Sequence, residues 1–241
     1  MTRLLALETS TEYCSVALWQ DGNITSRCEL AGQRHSEMLL AIVDEVLREA
    51  RVKLAELDGI AYGKGPGSFT GVRIACGVTQ GLALGANLPV LGVCTLQALA
   101  YASGHDKIIA ALDARMGEIY HAAYQINRQK NGQKNRGKNG ETPRDDWVTV
   151  CAPNLCSPQQ APVVAGSEWF GTGSGFGAHR EALHQRYGTQ LLDIDAHSIP
   201  NAQAIVCLAV PQFATGCGVD AAQAMPLYLR DKVALKTSER R

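Results

Sequence analysis

Residues 62–85 read YGKGPGSFTGVRIACGVTQGLALG. The stretch has the outline of a phosphate loop entering a helix, yet its spacing fits neither common nucleotide loop. A Walker A loop places four residues between its two glycines and follows the second with Lys-Ser or Lys-Thr. Here three residues stand between Gly67 and Gly71, and Val72-Arg73 follow. A dinucleotide loop needs G-x-G-x-x-G, and Gly65-Pro66-Gly67-Ser68-Phe69-Thr70 fails at its sixth place. Pro66 also removes a backbone N–H that such a loop offers to phosphate. What remains is a tight Gly-Pro-Gly turn, with Ser68 or Thr70 able to cap the following helix. Anion binding at that helix N-terminus stays open.

The pattern predicts a helix over Thr70–Leu84, and this helix carries Gly77, Gly81 and Gly85 on one side. Each glycine costs about 0.8–1 kcal/mol relative to alanine in a helix, so the three together cost roughly 2–3 kcal/mol. A glycine stripe is useful where another backbone approaches closely. Two readings follow. The stripe packs on this chain's own sheet or first helix, or it forms a seam with another protein. A second helix, expected over Ser36–Arg51 with Ser36 as its cap, shows Leu39, Val43, Val46 and Ala50 on one face, widened by Ile42 and Leu47. Together with Gly77, Val78, Gly81 and Gly85, the residues Leu39, Ile42, Val43, Val46 and Leu47 form the candidate partner interface.

Working outward, Arg3–Glu8, Cys14–Gln20 and Ile24–Leu30 read as strands, the last two joined by the turn signal Asp21-Gly22-Asn23. Further strands are expected at Gly59–Tyr62 and Val90–Val93, and a helix at Leu96–Ala102. Three meandering strands followed by helix, strand, helix, strand is the order of a ribonuclease-H-like lobe, a mixed sheet with helices on its faces. A second unit opens near Lys107, with strands at Lys107–Asp113 and Glu118–Ile126 around Ala114-Arg115-Met116-Gly117. Asn127–Gly140 has five basic residues and no acidic or apolar ones. It reads as a solvated insertion, with an RNA-backbone contact as the alternative. Pro153–Pro162 reads as turn-rich and Val163–Gly166 as a strand, with helices near Ala178–Tyr187 and Ala202–Ala214. The expected fold class is therefore α/β, with residues 1–104 as a first lobe, joined by the tail 222–241, and residues 105–221 as a smaller, more divergent second lobe.

Composition narrows the function. Apolar residues make up 46% of the 241, enough for a proper core, and the 23 basic residues balance the 23 acidic ones. A neutral chain has no bulk electrostatic reason to hold nucleic acid or an anionic membrane. No apolar run approaches the length of a membrane span, and the apolar start before Glu8 is too short for a signal peptide. The eight cysteines form no C-x-x-C pair, which suggests buried thiols in a reducing compartment, the cytoplasm. No histidine pair has the i, i+4 spacing of a metallopeptidase helix, and no G-x-S-x-G elbow appears. Glu8, Thr9 and Ser10 close the first strand and, with Ser68, are the candidate ligand-binding residues. Asp113 with Arg115 is a second candidate cleft pair. Convergent acids, bases and metal ligands are too few for a self-sufficient enzyme.

LALETSTEYCSVAL at the start, RHSEMLL at Arg34–Leu40, AYGKGPGSFTGVRIACGVTQGLALG at Ala61–Gly85, LDARMGEIYHAAY at Leu112–Tyr124 and PLYLRDKVA at Pro226–Ala234 resemble the bacterial TsaB (YeaZ) family of tRNA threonylcarbamoyladenosine biosynthesis proteins. The resemblance is near-continuous from Arg3 to about Tyr124 and returns in the tail. It implies the two-lobed fold of the actin/Hsp70/sugar-kinase superfamily and no independent catalysis, cofactor or metal. It implies a scaffold for the catalytic paralogue TsaD, which modifies N6 of adenosine 37 in tRNAs reading A-starting codons, with the ATPase TsaE as a third member. tRNA would then be met only through the complex, and the chain alone would pair with itself through the first two helices. The relative's H-x-x-x-H metal pair is reduced here to His35, with Leu39 at the fifth position. Where the superfamily's first strand–turn carries an aspartate and glycines for phosphate, this chain has Glu8, Thr9 and Ser10. A small-molecule kinase or ATPase of the same superfamily is the main alternative, and a metallopeptidase a more distant one.

Overall fold

The computed structural model describes residues 2–127 and 147–230; the basic stretch expected to be an insertion lies outside them apart from Asn127. Two five-stranded sheets organise the chain. In the first, β1 (Arg3–Glu8), β2 (Tyr13–Gln20), β3 (Asn23–Leu30), β4 (Gly59–Gly65) and β5 (Val90–Cys94) lie in the order β3-β2-β1-β4-β5. β1–β2 and β2–β3 are antiparallel, while β1–β4 and β4–β5 are parallel. The second sheet comprises β6 (Lys107–Asp113), β7 (Ile119–Ile126), β8 (Trp147–Cys156), β9 (Trp169–Thr172) and β10 (Leu191–Asp195). Its order, β8-β7-β6-β9-β10, and its pairing senses repeat those of the first. The fold is thus a ribonuclease-H-like sheet present twice, as in the two-lobed actin/Hsp70/sugar-kinase class: the strand order implied the first lobe, and the family resemblance the two-lobed class.

Alternation along β1 divides the first core. Leu5 and Leu7 face a cluster shared with α1 (His35–Ala50) and α2 (Phe69–Ala86). Leu4 and Ala6 face the opposite cluster, supplied by α6 (Ala202–Ala214). α6 is apolar all round, as a helix buried on several sides must be. The sequence places it in residues 105–221, but it packs across β1, β2 and β4 of the first sheet. Asn201 starts it by accepting a hydrogen bond from the Ala204 N–H at 2.9 Å, and the Ser15 hydroxyl of β2 accepts one from the Ala202 N–H at 3.0 Å. α3 (Thr95–Ala102) lies between the two sheets. Ala98 joins the α6 cluster, while Leu96, Leu99 and Ala100 pack with Ile108, Ala110 and Tyr124 of the second sheet. The outer face of that sheet is covered by α4 (Ser174–Ala178) and α5 (Arg180–Tyr187), with Trp169, Phe176 and Tyr187 fully buried.

Several expectations are corrected. α1 begins at His35 with Arg34 at the N-cap and no side-chain cap, so Ser36 lies inside the helix. Pro153 does not end in a turn: it sits within β8, an edge strand, where a missing N–H costs no ladder bond. The segment 163–166 is irregular, and the strand comes later, at Trp169–Thr172. The carbonyls of Val164 and Gly166 accept hydrogen bonds from the Gln190 amide, and that of Ala165 from the Trp169 indole, which uses them away from any ladder.

After α6 the chain stays on the first lobe and runs along α2. The Ala224 carbonyl accepts from the Cys76 thiol at 3.4 Å and the Gln80 amide at 3.1 Å. The Met225 N–H donates to the Tyr62 hydroxyl at 2.8 Å, and the Leu227 N–H to the Lys64 carbonyl at 2.6 Å. Arg230 then crosses to the second lobe, donating to Glu118 Oε2 at 2.6 Å and to the Ala114 carbonyl at 3.0 Å.

Candidate functional site

Glu8, Thr9 and Ser10 come together at the end of β1, and all three are buried. Glu8 Oε1 accepts from the Ser10 N–H at 2.5 Å, and Oε2 from the Thr95 hydroxyl at 3.5 Å. The Thr9 hydroxyl donates to the Gly71 carbonyl at 2.7 Å. The Ser10 carbonyl accepts from the Ser68 N–H at 2.8 Å, and the Ser68 hydroxyl caps α2 by accepting from the Gly71 N–H at 3.4 Å. The four residues therefore meet, but they meet one another. A Cβ at Gly67 would lie 2.6 Å from Ser10 Cβ, one at Gly63 would overlap the Glu8 carboxylate, and one at Gly71 would overlap the Thr9 carbonyl oxygen. The glycines of this loop let it lie flat on the β1 turn, so the chain's own backbone covers Glu8, Thr9 and Ser10.

Burial pushes the Glu8 carboxyl above its ordinary value, and the opposing hydrogen bonds from Ser10 and Thr95 are the smaller effect. The folded protein therefore keeps a proton that the unfolded chain releases. Stability attributable to Glu8 falls as pH rises from the ordinary value of 4.5 through the raised one. His121 works in the other direction. Burial, then the Arg186 charge, lowers it to about 4, so the stability tied to its neutral form is present above 6.5 and lost as pH falls. Glu8→Gln is expected to abolish the Glu8 part alone. The difference in melting temperature between variant and wild type, followed from acid to neutral pH, should grow in the variant's favour; a difference independent of pH would contradict a raised Glu8.

The same strand end in the second sheet holds Asp113. Its carboxylate accepts from the Arg115 N–H at 2.9 Å, pairs with the Arg115 guanidinium at 3.1 Å and lies 3.6 Å from His179 Nε2. The Ser174 hydroxyl accepts from the Asp113 N–H at 3.1 Å. Asp113 and Arg115 are thus an ion pair at this strand end, and α4 and its C-terminal turn bring Ser174 and His179 to it. Among the described residues, no three His, Cys, Asp or Glu side chains converge as metal ligands.

The partner-face residues divide. Leu39, Ile42, Val43 and Val46 lie in the core beneath α1, so they cannot meet a partner, and Leu47 and Val78 are half-buried beside it. The first sheet consumes that apolar stripe. Gly77, Gly81 and Gly85 behave in the opposite way. All three are exposed, and a Cβ on any of them would meet nothing within 4 Å. Close packing on the chain's own sheet or first helix is therefore not their role; the face of α2 turned to the sheet is Val72, Ala75, Cys76, Thr79 and Ala83. Large apolar side chains accompany the glycines outside: Leu84 is 79% exposed and, on α1, Leu40 is 52% exposed. Neither belongs to the sequence-based face, although Leu84 stands beside Gly85.

Alanine in place of Gly77, Gly81 or Gly85 should stabilise the isolated chain by about 0.8–1 kcal/mol each, since only the helix propensity changes. Urea unfolding of the single variants checks this; a lower midpoint would mean that these glycines meet structure within the chain.

Comparison with known proteins agrees with this architecture. Residues 27–138 match the family model described as TsaD: tRNA N6-adenosine threonylcarbamoyltransferase. The chain is 38% identical over 238 residues to the tRNA threonylcarbamoyladenosine biosynthesis protein TsaB of Escherichia coli K12, covering 97% of each. It is 36% identical over 239 residues to the TsaB of Haemophilus influenzae, covering 97% of this chain and 95% of that one. The solved structure of YeaZ from Pseudomonas aeruginosa superposes with a TM-score of 0.81 at 38% identity, covering 95% of this chain and all of that one. With relatives this similar along nearly the whole length, the chain belongs to the TsaB family of tRNA threonylcarbamoyladenosine biosynthesis proteins.

Proposed function

We propose that this chain is a non-catalytic scaffold in the complex that places threonylcarbamoyl on N6 of adenosine 37 of tRNA. It docks a TsaD-type catalytic paralogue through the outer face of α2 and the adjoining α1, and a TsaE-type ATPase joins the assembly. It meets tRNA only within that assembly, in the cytoplasm, and pairs with itself when the partner is absent. In this reading the docking lobe is residues 1–104 with the returning tail from 222 onward. Residues 105–221 form the second lobe, except that α6 serves the first sheet.

One observation carries the reading. Three helical glycines face solvent, cost roughly 2–3 kcal/mol and gain no contact inside the chain. A helix laid across them recovers that cost through close backbone packing, and the exposed Leu84 and Leu40 supply apolar area beside it. The β1 turn supports the absence of chemistry here, because the chain's own glycine loop covers Glu8, Thr9 and Ser10.

Two measurements test this. Depleting the protein from its cell should remove threonylcarbamoyladenosine from tRNA nucleosides read by mass spectrometry, and an unchanged level would sink the pathway assignment. Reconstitution with the catalytic paralogue and the ATPase should need this chain for full turnover. Modification of tRNA by the isolated chain at a comparable rate would end the scaffold reading.

A further inference from the structure

We propose that Arg73 is the electrostatic anchor of the α2 docking face, and that it selects a protein partner whose facing helix presents a carboxylate at the N-terminal end of the glycine stripe. This rests on the docking reading above and adds to it the chemistry of the surface that docks.

Arg73, Gly77, Gly81 and Gly85 follow one another at intervals of four, so they lie along one line of the helix. α2 runs from Phe69 to Ala86, and Arg73 is its single charged residue. The guanidinium carbon lies 3.2 Å above the Phe69 ring centroid and 5.0 Å from that of Tyr228. Those two rings are 6.2 Å apart and inclined at 42°. Phe69 belongs to the first turn of α2. Tyr228 arrives from the far end of the chain, held in place by the bonds of Ala224, Met225 and Leu227 to α2 and β4. Such stacking removes rotamer freedom from a long side chain before any partner binds.

Among the described residues Arg73 has no counter-charge. Its hydrogen bond within the protein goes to the Phe69 carbonyl at 3.5 Å, the outer limit of such a bond. Other arginines reach acids: Arg3 pairs with Glu56, Arg27 with Glu49, Arg48 with Asp44 and Arg230 with Glu118. Among the described residues no carboxylate pairs with Arg73. In the free chain water solvates it, for it is exposed, as are Phe69 and Tyr228. A helix lying along the glycines must pass over or beside this guanidinium and strip that water. An apolar surface there would leave a desolvated, unpaired cation, which is strongly unfavourable. A carboxylate there meets a planar donor fork already fixed in orientation, the geometry that makes interface arginines binding hot spots. The neighbouring helix sharpens the choice. On α1, Asp44 is paired with Arg48 and Glu49 with Arg27, so those carboxylates are matched within the chain, and a complementary partner is acidic where it crosses Arg73 on α2. Tyr228 is then a positioning residue for Arg73.

The affinity of the purified chain for the purified catalytic paralogue of the same cell, measured by calorimetry, tests the anchor. Arg73→Gln should weaken binding about tenfold or more and Arg73→Glu about a hundredfold, with Arg73→Lys between wild type and Gln. Wild-type affinity should fall between about 0.05 and about 0.5 M salt, and that of Arg73→Gln should change far less. Tyr228→Ala should weaken binding and Tyr228→Phe should restore it. Arg73 is exposed, so all its variants should melt with the wild type. Wild-type affinity in Arg73→Gln and Arg73→Glu, alongside a Gly81→Leu variant that does not bind, would overturn the anchor and leave the docking face standing. Binding by Gly81→Leu itself would overturn both. If Arg73→Glu abolished only self-association and left the paralogue bound, the carboxylate would belong to a second copy of this chain and the proposal would fail.

Discussion

Gly81→Leu should abolish co-elution with the catalytic paralogue while the isolated chain melts no lower than wild type. The two halves of this result have separate causes. Within the chain a side chain at Gly81 enters open space, because a Cβ there meets nothing within 4 Å. Leucine is also a better helix former than glycine, by somewhat less than about 1 kcal/mol. In the complex proposed above, the same side chain would occupy the place where a second backbone is to lie against the stripe. Helices cross at about 8–10 Å, nearer the lower limit where the contact residues are small. Inserting four carbons into such a seam forces the helices apart along their whole contact. A loss of about a hundredfold in affinity or more is expected, equivalent to about 2.7 kcal/mol or more. Size-exclusion chromatography of the mixed proteins and a melting curve of the variant alone read both halves. Co-elution at wild-type level would remove the glycine stripe from the interface, and with it the observation on which the scaffold reading stands.

Gly71→Ala should do the reverse: leave the docking face untouched and damage the fold. Gly71 is also a helical glycine, in the first turns of α2, and propensity alone would favour alanine by about 1 kcal/mol. Here, however, a Cβ would overlap the Thr9 carbonyl oxygen, and backbone cannot swing aside as the end of a side chain can. Thr9 is fully buried and its hydroxyl is bonded to the Gly71 carbonyl, so the two segments can separate only by breaking that bond. The expected net loss is about 3 kcal/mol, a fall of about 10 °C in Tm for a chain of this size. Thermal unfolding checks it, and a Tm at or above the wild-type value would mean that the loop has room to move off the β1 turn. One motif therefore contains glycines of two kinds. Those before and at the start of α2 serve the fold, and those from Gly77 onward face solvent.

Much of the first lobe could be read along the chain because its signals are local. The Asp21-Gly22 turn and the apolar period of α1 each act within a few residues. The second lobe was less legible. β8 follows a basic stretch and contains Pro153, while β10 is short and carries Asp193 and Asp195; edge strands tolerate both, since one side of their ladder is open. α6 reads as a helix with the right ends, but nothing local says which sheet it covers. The site was legible in part. Glu8, Thr9, Ser10 and Ser68 could be singled out as polar residues at the end of a strand and the start of a helix. That they bond to one another, with the carboxyl sealed, depends on three glycines sixty residues away.

The amino-acid sequence by itself determined the order of strands and helices in the first lobe, the absence of a standard nucleotide loop and the presence of a costly glycine stripe, because spacing and intrinsic propensity settle each of these. Only the tertiary structure decided which apolar and small faces were left over. A face on α1 and a stripe on α2 look equally unpartnered along the chain. Once the first sheet forms, it takes Leu39, Ile42, Val43 and Val46 of α1 and Val72, Ala75 and Ala83 of α2, and the glycines face water because the opposite side of the same helix is already occupied.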